Sequence, residues 1–377
     1  MFGSAKRRIR STDRSGGITV LALPTLLRSP GELTALVPSW RALVAATPGT
    51  SYFTTPDWVL GWTESLGREQ AGRAVVAVWR AEDGAAEAVV PLLRTRERLH
   101  PRLPGGVLSW TLLGTGPGAA DHCGFAVDPR RHQDVRAWLA SLARRRTMLF
   151  PHLDAGTGDP FLPPGAREIE RTACPVMPAD PAALGSARHR QGVRRKARKL
   201  AEDGITFTWV APDATTPELF DDLLRLHRLR REAIGGSSAF DATRRPLHAA
   251  LAARAAADRG PCALVARDPA GRPVGVLYGF LWQDTFAYYQ LGWDPAYAKA
   301  SLGTVLFHET LTALAARGVR TFDFLRGAEE FKHRFGAVDR YDTTWLVARG
   351  AGGALLGAKS AARRVRNRRL RPVRGEA

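Results

Sequence analysis

The chain has 377 residues, 45% hydrophobic and 24% charged. That balance excludes wholesale disorder and fibrous architectures and leaves room for two or three globular domains. Its 55 Lys and Arg against 36 Asp and Glu give a formal charge of +19, pointing to nucleic acid, an anionic membrane surface or acidic ligands.

In chain order, residues 1–17 are polar and basic, with Lys6, Arg7, Arg8, Arg10 and Arg14, and read as a disordered arm. No long apolar run or small-residue cleavage site follows, so the expected location is cytoplasmic, with a peripheral position at the inner face of the membrane left open by the basic segments. Ile18 to Leu27, the best apolar run, holds Pro24 and falls short of the ~18 residues of a membrane span. The spacing of Leu33, Leu36, Val37, Trp40, Leu43 and Val44 predicts a helix over 32–47. A second helix is predicted from Thr55-Pro56-Asp57 to Leu66, with Trp58 and Trp62 one turn apart. Residues 74–80 and 86–93 read as a strand pair around Glu82-Asp83-Gly84, and 108–113 as a further strand. A helix over 135–145 and a strand over 147–153 close the first half. Pro- and Gly-rich stretches at 156–165 and 175–185 read as punctuation.

The second half opens with a basic helix over 186–202. It carries Arg188, Arg190, Arg194, Arg195, Lys196, Arg198 and Lys199 with no acid before Glu202. Strands follow at 205–210, 262–267, 274–282 and 285–293, with helices at 217–233 and 246–259 between the first two. A helix over 302–317 ending at Gly318, a strand at 319–325, a short helix at 329–335 and a strand at 342–348 complete it. This order predicts a mixed sheet with helices on both faces, an α+β fold, and the first half suggests a diverged copy. A basic tail closes the chain, with Lys359, Arg363, Arg364, Arg366, Arg368, Arg369, Arg371 and Arg374.

Two stretches carry candidate chemistry. A strand runs through Gln290, Leu291, Gly292 and Trp293 and then into a helix opening at Ser301, Leu302, Gly303 and Thr304. Free N–H groups at that helix start suit a phosphate or pyrophosphate, with Lys299 as an added cation. The same residues also fit an ordinary Ser-capped helix. Farther on, Asp323 sits at a strand end, and Glu329 and Lys332 are one turn apart on a short helix. A carboxylate there suits deprotonation of an attacking amine or hydroxyl, with Lys332 orienting it or stabilising charge. A structural salt bridge explains those residues equally well. Cys123, Cys174 and Cys262 are far apart and read as isolated apolar residues. His308-Glu309 lacks the second His of HExxH because Thr312 stands in its place, so no metal site is expected.

Several segments resemble a known group. These are the run from Ser186 to Leu200, Tyr288-Tyr-Gln-Leu-Gly-Trp-Asp-Pro295, Ser301-Leu-Gly303 and Asp323-Phe-Leu-Arg-Gly-Ala-Glu-Glu-Phe-Lys332. Together they resemble GNAT acyltransferases of the CelD/BcsL-like (BioF2-like) group, itself akin to the FemAB/FemX aminoacyl-transferring proteins. Pro56-Asp-Trp58, Val89-Val-Pro-Leu92 and the Gly114 to Phe125 loop extend the likeness into the first half. The resemblance implies two tandem GNAT-like domains, over 18–185 and 186–350, and a tail over 351–377. It implies acetyl-CoA or another acyl-CoA docked at Gln290 to Trp293, with its pyrophosphate on Leu302, Gly303 and Thr304. The acceptor implied is an amine or hydroxyl of a small-molecule, polysaccharide or cell-envelope precursor. FemX-like relatives use aminoacyl-tRNA instead, which the basic segment 186–199 would suit. A non-catalytic scaffold whose basic segments 186–199 and 359–374 hold RNA or membrane is the remaining alternative.

Overall fold

The computed structural model describes residues 8–12, 18–98, 106–116, 118, 120–233, 235 and 240–370. In chain order its strands and helices begin with β1 (Arg8–Thr12), β2 (Ile18–Ala22), β3 (Thr25–Leu27), α1 (Pro30–Ala46), α2 (Pro56–Glu64), β4 (Ala74–Arg80) and β5 (Ala86–Glu97). Next come β6 (Val107–Leu112), β7 (Ala126–Val127), α3 (His132–Ala143), β8 (Thr147–Asp154), β9 (Arg167–Pro178), α4 (Ala187–Glu202), β10 (Thr206–Val210), α5 (Pro217–Ala233) and α6 (Arg245–Ala252). The remainder are β11 (Arg259–Arg267), β12 (Pro273–Trp282), β13 (Thr285–Trp293), α7 (Leu302–Ala315), β14 (Thr321–Asp323), α8 (Glu330–Arg334), β15 (Val338–Val347) and α9 (Gly350–Leu370).

Two compact units form, and they divide the chain differently from the sequence expectation of 18–185 and 186–350. The first holds Met1–Val59, Gly67–Thr172 and Asp342–Ala377; the second holds Leu60–Leu66 and Ala173–Tyr341. The expected disordered arm lies partly outside the described residues. Its Arg8–Thr12 stretch is a strand that pairs antiparallel with β2.

In the first unit β3, β4, β5 and β6 pair antiparallel in that order. The crossover through α3 returns β8 parallel to β6, at Ser109↔Thr147 and Trp110↔Met148. Residues Asp342 to Val347 of β15 then pair antiparallel with β8. α1 starts in a capping box: Ser29 Oγ accepts from Glu32 N, and Glu32 accepts from Ser29 N at 2.9 Å. Its core face is Leu33, Leu36, Trp40, Leu43 and Val44. Just past the end of β6, the buried Trp58 indole donates to the Gly114 carbonyl at 2.9 Å and fills the space beside that glycine. Deeper in this unit, buried His122 presents its backbone N–H and Nδ1 to Asp342, at 2.6 and 2.8 Å.

The second unit repeats the pattern. β10, β11, β12 and β13 pair antiparallel, α7 crosses over, and β14 returns parallel to β13. Residues 176–178 of β9 flank β14 on its other side. Helices cover both faces of this sheet, as the sequence order predicts. Gly275 lets Leu302 and Leu306 of α7 approach one face, while Gly292 lets the backbone of α5 approach the other. The α7 side packs Leu264, Leu277, Phe286 and Leu291 with Leu302, Val305 and Leu306. On the α5–α6 side, the buried His248 imidazole stacks on Phe220 with ring centroids 3.9 Å apart, and its Nδ1 meets the Tyr278 hydroxyl at 2.9 Å.

Two expectations need correction. The 246–259 helix stops at Ala252, because the backbone turns at 253–258 to enter β11, with Gly260 at φ +121° against Ala255. The long strand β9, Arg167–Pro178, lies mostly between the two stretches read as punctuation, where no element was expected, and runs into the second of them at 175–178. Its prolines are tolerated because they supply acceptors: the Pro175 carbonyl takes the Phe324 N–H at 2.9 Å.

Candidate active site

The site lies in the second unit, at the ends of β13 and β14. These parallel strands pair only at Thr285↔Thr321, Phe286↔Phe322 and Ala287↔Asp323. Beyond Ala287 the ladder stops, leaving the β13 edge from Tyr288 onward unpaired by β14. On its other side β13 pairs with β12 through a bulge: Gly279 opposes Tyr288, Tyr278 opposes Gln290, and Tyr289 is the extra residue. A crossover places the end of β13, the start of α7 and the end of β14 at the same edge of a sheet, where α/β folds bind ligands. The two candidate stretches of the sequence therefore meet.

The start of α7 is not Ser-capped. Ser301 takes a left-handed conformation, φ +55°, and makes no side-chain cap. Its hydroxyl instead accepts from Lys196 Nζ of α4 at 2.6 Å. The Leu302 and Gly303 amides occupy the first turn, where a helix has no internal acceptor to offer them. The Leu302 side chain is fully buried in the core. The Trp293 indole lies against Gly303, so closely that a Cβ there would fall 2.9 Å from Nε1. Arg230 of α5 stacks on that indole at 5.8 Å. Lys299, the cation expected at this helix start, is exposed, and Lys196 meets Ser301 instead.

Along β13, the Gln290 side chain folds back to accept the Leu291 N–H at 2.9 Å. Leu291 is buried in the core, and Gly292 is a close-approach position for α5. Tyr288 was quoted in the sequence run but not singled out. Burial pushes its phenol up; Arg230 pulls it down and Glu329 pushes it up further. That coupling puts Tyr288 within electrostatic reach of both the α5 and the α8 sides of the site.

Asp323 is 1% exposed. Its Oδ1 accepts the Leu325 N–H at 2.8 Å, and Oδ2 lies 3.7 Å from Arg340. Leu325 itself is held at φ +55°. Lys332 is 3% exposed and its Nζ is enclosed by the loop after β14. It donates to the carbonyls of Phe324, Arg326 and Gly327 at 3.1, 3.2 and 3.0 Å, and pairs with Glu329 Oε2 at 2.8 Å. Asp323 and Lys332 therefore shape the loop, while the Glu329 carboxylate, 57% exposed, is the one open to a substrate.

Alongside runs the basic face of α4. Arg188, Arg194, Arg195 and Arg198 are exposed and form no ion pair among the described residues. A groove of about 460 Å³ between α4 and α7 is lined by Gln191, Arg194, Ala197, Arg198, His308 and Glu309. Burial pushes the Glu309 carboxyl up, against a smaller pull from His308.

Comparison with known proteins bears on the fold that carries these residues. Residues 187–333 match the family model "Acetyltransferase (GNAT) domain". Among solved structures, FemX is similar with a TM-score of 0.59 at 11% identity, covering 86% of this chain and 97% of that one. The C-terminal domain (DUF2156) of a lysylphosphatidylglycerol synthetase, described as putative, from Agrobacterium fabrum scores 0.55 at 13% identity, covering 88% and 96%. L-PGS from Bacillus licheniformis scores 0.53 at 11% identity, with the same coverage. At these identities the likeness is one of fold. The comparison with curated protein sequences gave no match. Residues 187–333, within the second unit, thus match an acetyltransferase (GNAT) domain, and each of the two units carries a parallel strand pair joined through a helix.

Proposed function

We propose that the chain transfers an acyl group from acyl-CoA, acetyl-CoA first among them, to an amine or hydroxyl of a small-molecule, polysaccharide or cell-envelope precursor. One observation carries this reading: the β13–β14 ladder ends after three pairs, beside a helix start that already engages a cation, Lys196. The carrier's pyrophosphate binds the Leu302 and Gly303 amides at the start of α7, with Lys196 adding charge; the Thr304 N–H, expected from sequence to join them, donates to the Ser301 carbonyl at 2.9 Å. The thioester lies along the open edge of β13, between Tyr288 and Glu329. Glu329 takes the proton from the acceptor as its nitrogen or oxygen attacks the thioester carbonyl. The tetrahedral oxyanion collapses, the C–S bond breaks, and the leaving thiolate takes up the proton that Glu329 removed from the acceptor, which returns Glu329 to its carboxylate form. Most of the rate comes from positioning, so the Lys332-braced loop matters as much as the base.

Isothermal titration of acetyl-CoA tests the donor. The expected result is micromolar binding, weakened roughly tenfold by Lys196→Ala through loss of a charge-assisted contact. No binding at millimolar ligand overturns acyl-CoA as donor.

A second reading is favoured by the unpaired arginines of α4: a FemX-like, aminoacyl-tRNA-dependent transfer to a cell-wall precursor. Filter binding of charged tRNA at several salt concentrations separates the two. If RNA carries the acyl group, Arg194→Ala and Arg198→Ala each lower the salt slope by about one. If RNA does not bind, or binds with an unchanged slope, this reading falls.

A further inference from the structure

The last helix is not needed by the site described above, yet it is the most one-sided charge run in the chain. α9 spans Gly350–Leu370, about 31 Å at the usual helical rise. Its sequence carries Lys359, Arg363, Arg364, Arg366, Arg368 and Arg369 and no acid; Arg371 and Arg374 follow, with Glu376 as the lone acid after Gly350.

The first half of α9 is moored on the first unit. Gly352 lies against Val107 of β6, Leu356 is 8% exposed, and Lys359 Nζ donates to the Arg98 carbonyl at 2.6 Å. Leu355, one residue from buried Leu356, is 54% exposed. The sequence continues with Val365 and Leu370 among the arginines, and from Gly350 to Ala377 there is no aromatic residue.

We infer that α9 is a docking element for an anionic lipid bilayer, lying on its surface. The charge is of one sign and complements anionic headgroups. Apolar residues scattered among the cations suit the headgroup boundary, whereas their number is far too small for a span. Among the described residues no helix is long and apolar enough to cross a membrane. A single-stranded nucleic acid is the poorer partner, because the segment offers no ring on which a base could stack. The inference does not depend on which donor is used.

The test is co-sedimentation of the full chain with sucrose-loaded vesicles. One set is phosphatidylcholine alone; the other holds 30% phosphatidylglycerol. The chain should pellet with the anionic vesicles, remain in solution with the neutral ones, and be released by 0.5 M NaCl. Arg363→Glu, Arg364→Glu and Arg366→Glu together should cut partitioning by at least a hundredfold, since each cation near such a surface is worth roughly fivefold. Circular dichroism and an unchanged urea midpoint confirm that this variant is folded. Leu355→Ser should cost a few-fold. A matched variant in α4, Arg188→Glu with Arg194→Glu and Arg195→Glu, should retain most of the binding. The inference is overturned if neutral vesicles bind as well as anionic ones, if neither binds, or if the α4 variant loses binding while the α9 variant keeps it.

Discussion

Lys332 and Glu329 form one ion pair but sit in opposite environments. The ammonium is enclosed and serves the loop carbonyls of Phe324 to Gly327, while the carboxylate is mostly in solvent. Lys332→Met should therefore cost about 2–4 kcal/mol in urea unfolding, because buried acceptors lose their donor. Glu329→Gln should change stability by less than about 1 kcal/mol, as for an exposed pair. It should nevertheless lower kcat by a factor on the order of 10²–10⁴ if Glu329 is the base. Equal stability losses in the two variants would show that the carboxylate is structural. The sequence placed Glu329 and Lys332 on one helix but could not rank them, since burial depends on where the loop after β14 folds. His248 gave even less signal, a lone histidine in a helix. Burial pushes its imidazole down to about 3, with Arg244 adding to the shift, and Nε2 has no partner among the described residues. The fold keeps it neutral, whereas an unfolded chain protonates it near 6.5. The unfolded state therefore binds the extra proton, and this residue's contribution is lost as pH falls from about 6.5 toward 3, by up to about 1.4 kcal/mol per unit. In His248→Phe the stability loss between pH 6 and 4 should be visibly shallower, read from urea midpoints; an unchanged slope would assign the acid sensitivity elsewhere.

At the scale of elements, periodic segments were legible. Helices α1, α4, α5 and α7 and strands β4, β12 and β13 lie close to where apolar spacing puts them. β9 was missed because Pro175 and Pro178 look like breaks, and only the partner strand shows that their missing N–H groups are not needed. The α7 start was half legible. Sequence marked Ser301 as a cap, but the hydroxyl is turned to Lys196, over one hundred residues earlier in the chain. A serine at φ +55° carries a strain on the order of 1 kcal/mol that glycine relieves. Ser301→Gly should leave the urea midpoint unchanged or slightly higher while weakening acetyl-CoA binding several-fold by calorimetry. A lowered midpoint with intact binding would mean that the Lys196 contact only joins α4 to α7.

Across the whole molecule, the charge of +19 was legible in amount and also in place, since the basic segments of α4 and α9 stand out in sequence. What each segment does was not legible, because one contributes Lys196 to a helix start and the other is moored through Lys359. The tandem plan was visible only as a similar order of elements. The structure makes it concrete: β6–α3–β8 and β13–α7–β14 are the same crossover, each with a short parallel ladder. The copies differ at the strand end. In the first unit, Trp58 occupies the space beside Gly114 and donates to its carbonyl. Trimming this residue in Trp58→Ala should lower stability by about 3–5 kcal/mol. It should also leave a dry, ring-sized hole that free indole can occupy. Adding millimolar indole to that variant, and not to the parent chain, should then recover part of the lost melting temperature, tying the stability of the first unit to a small molecule that fits the vacated ring site.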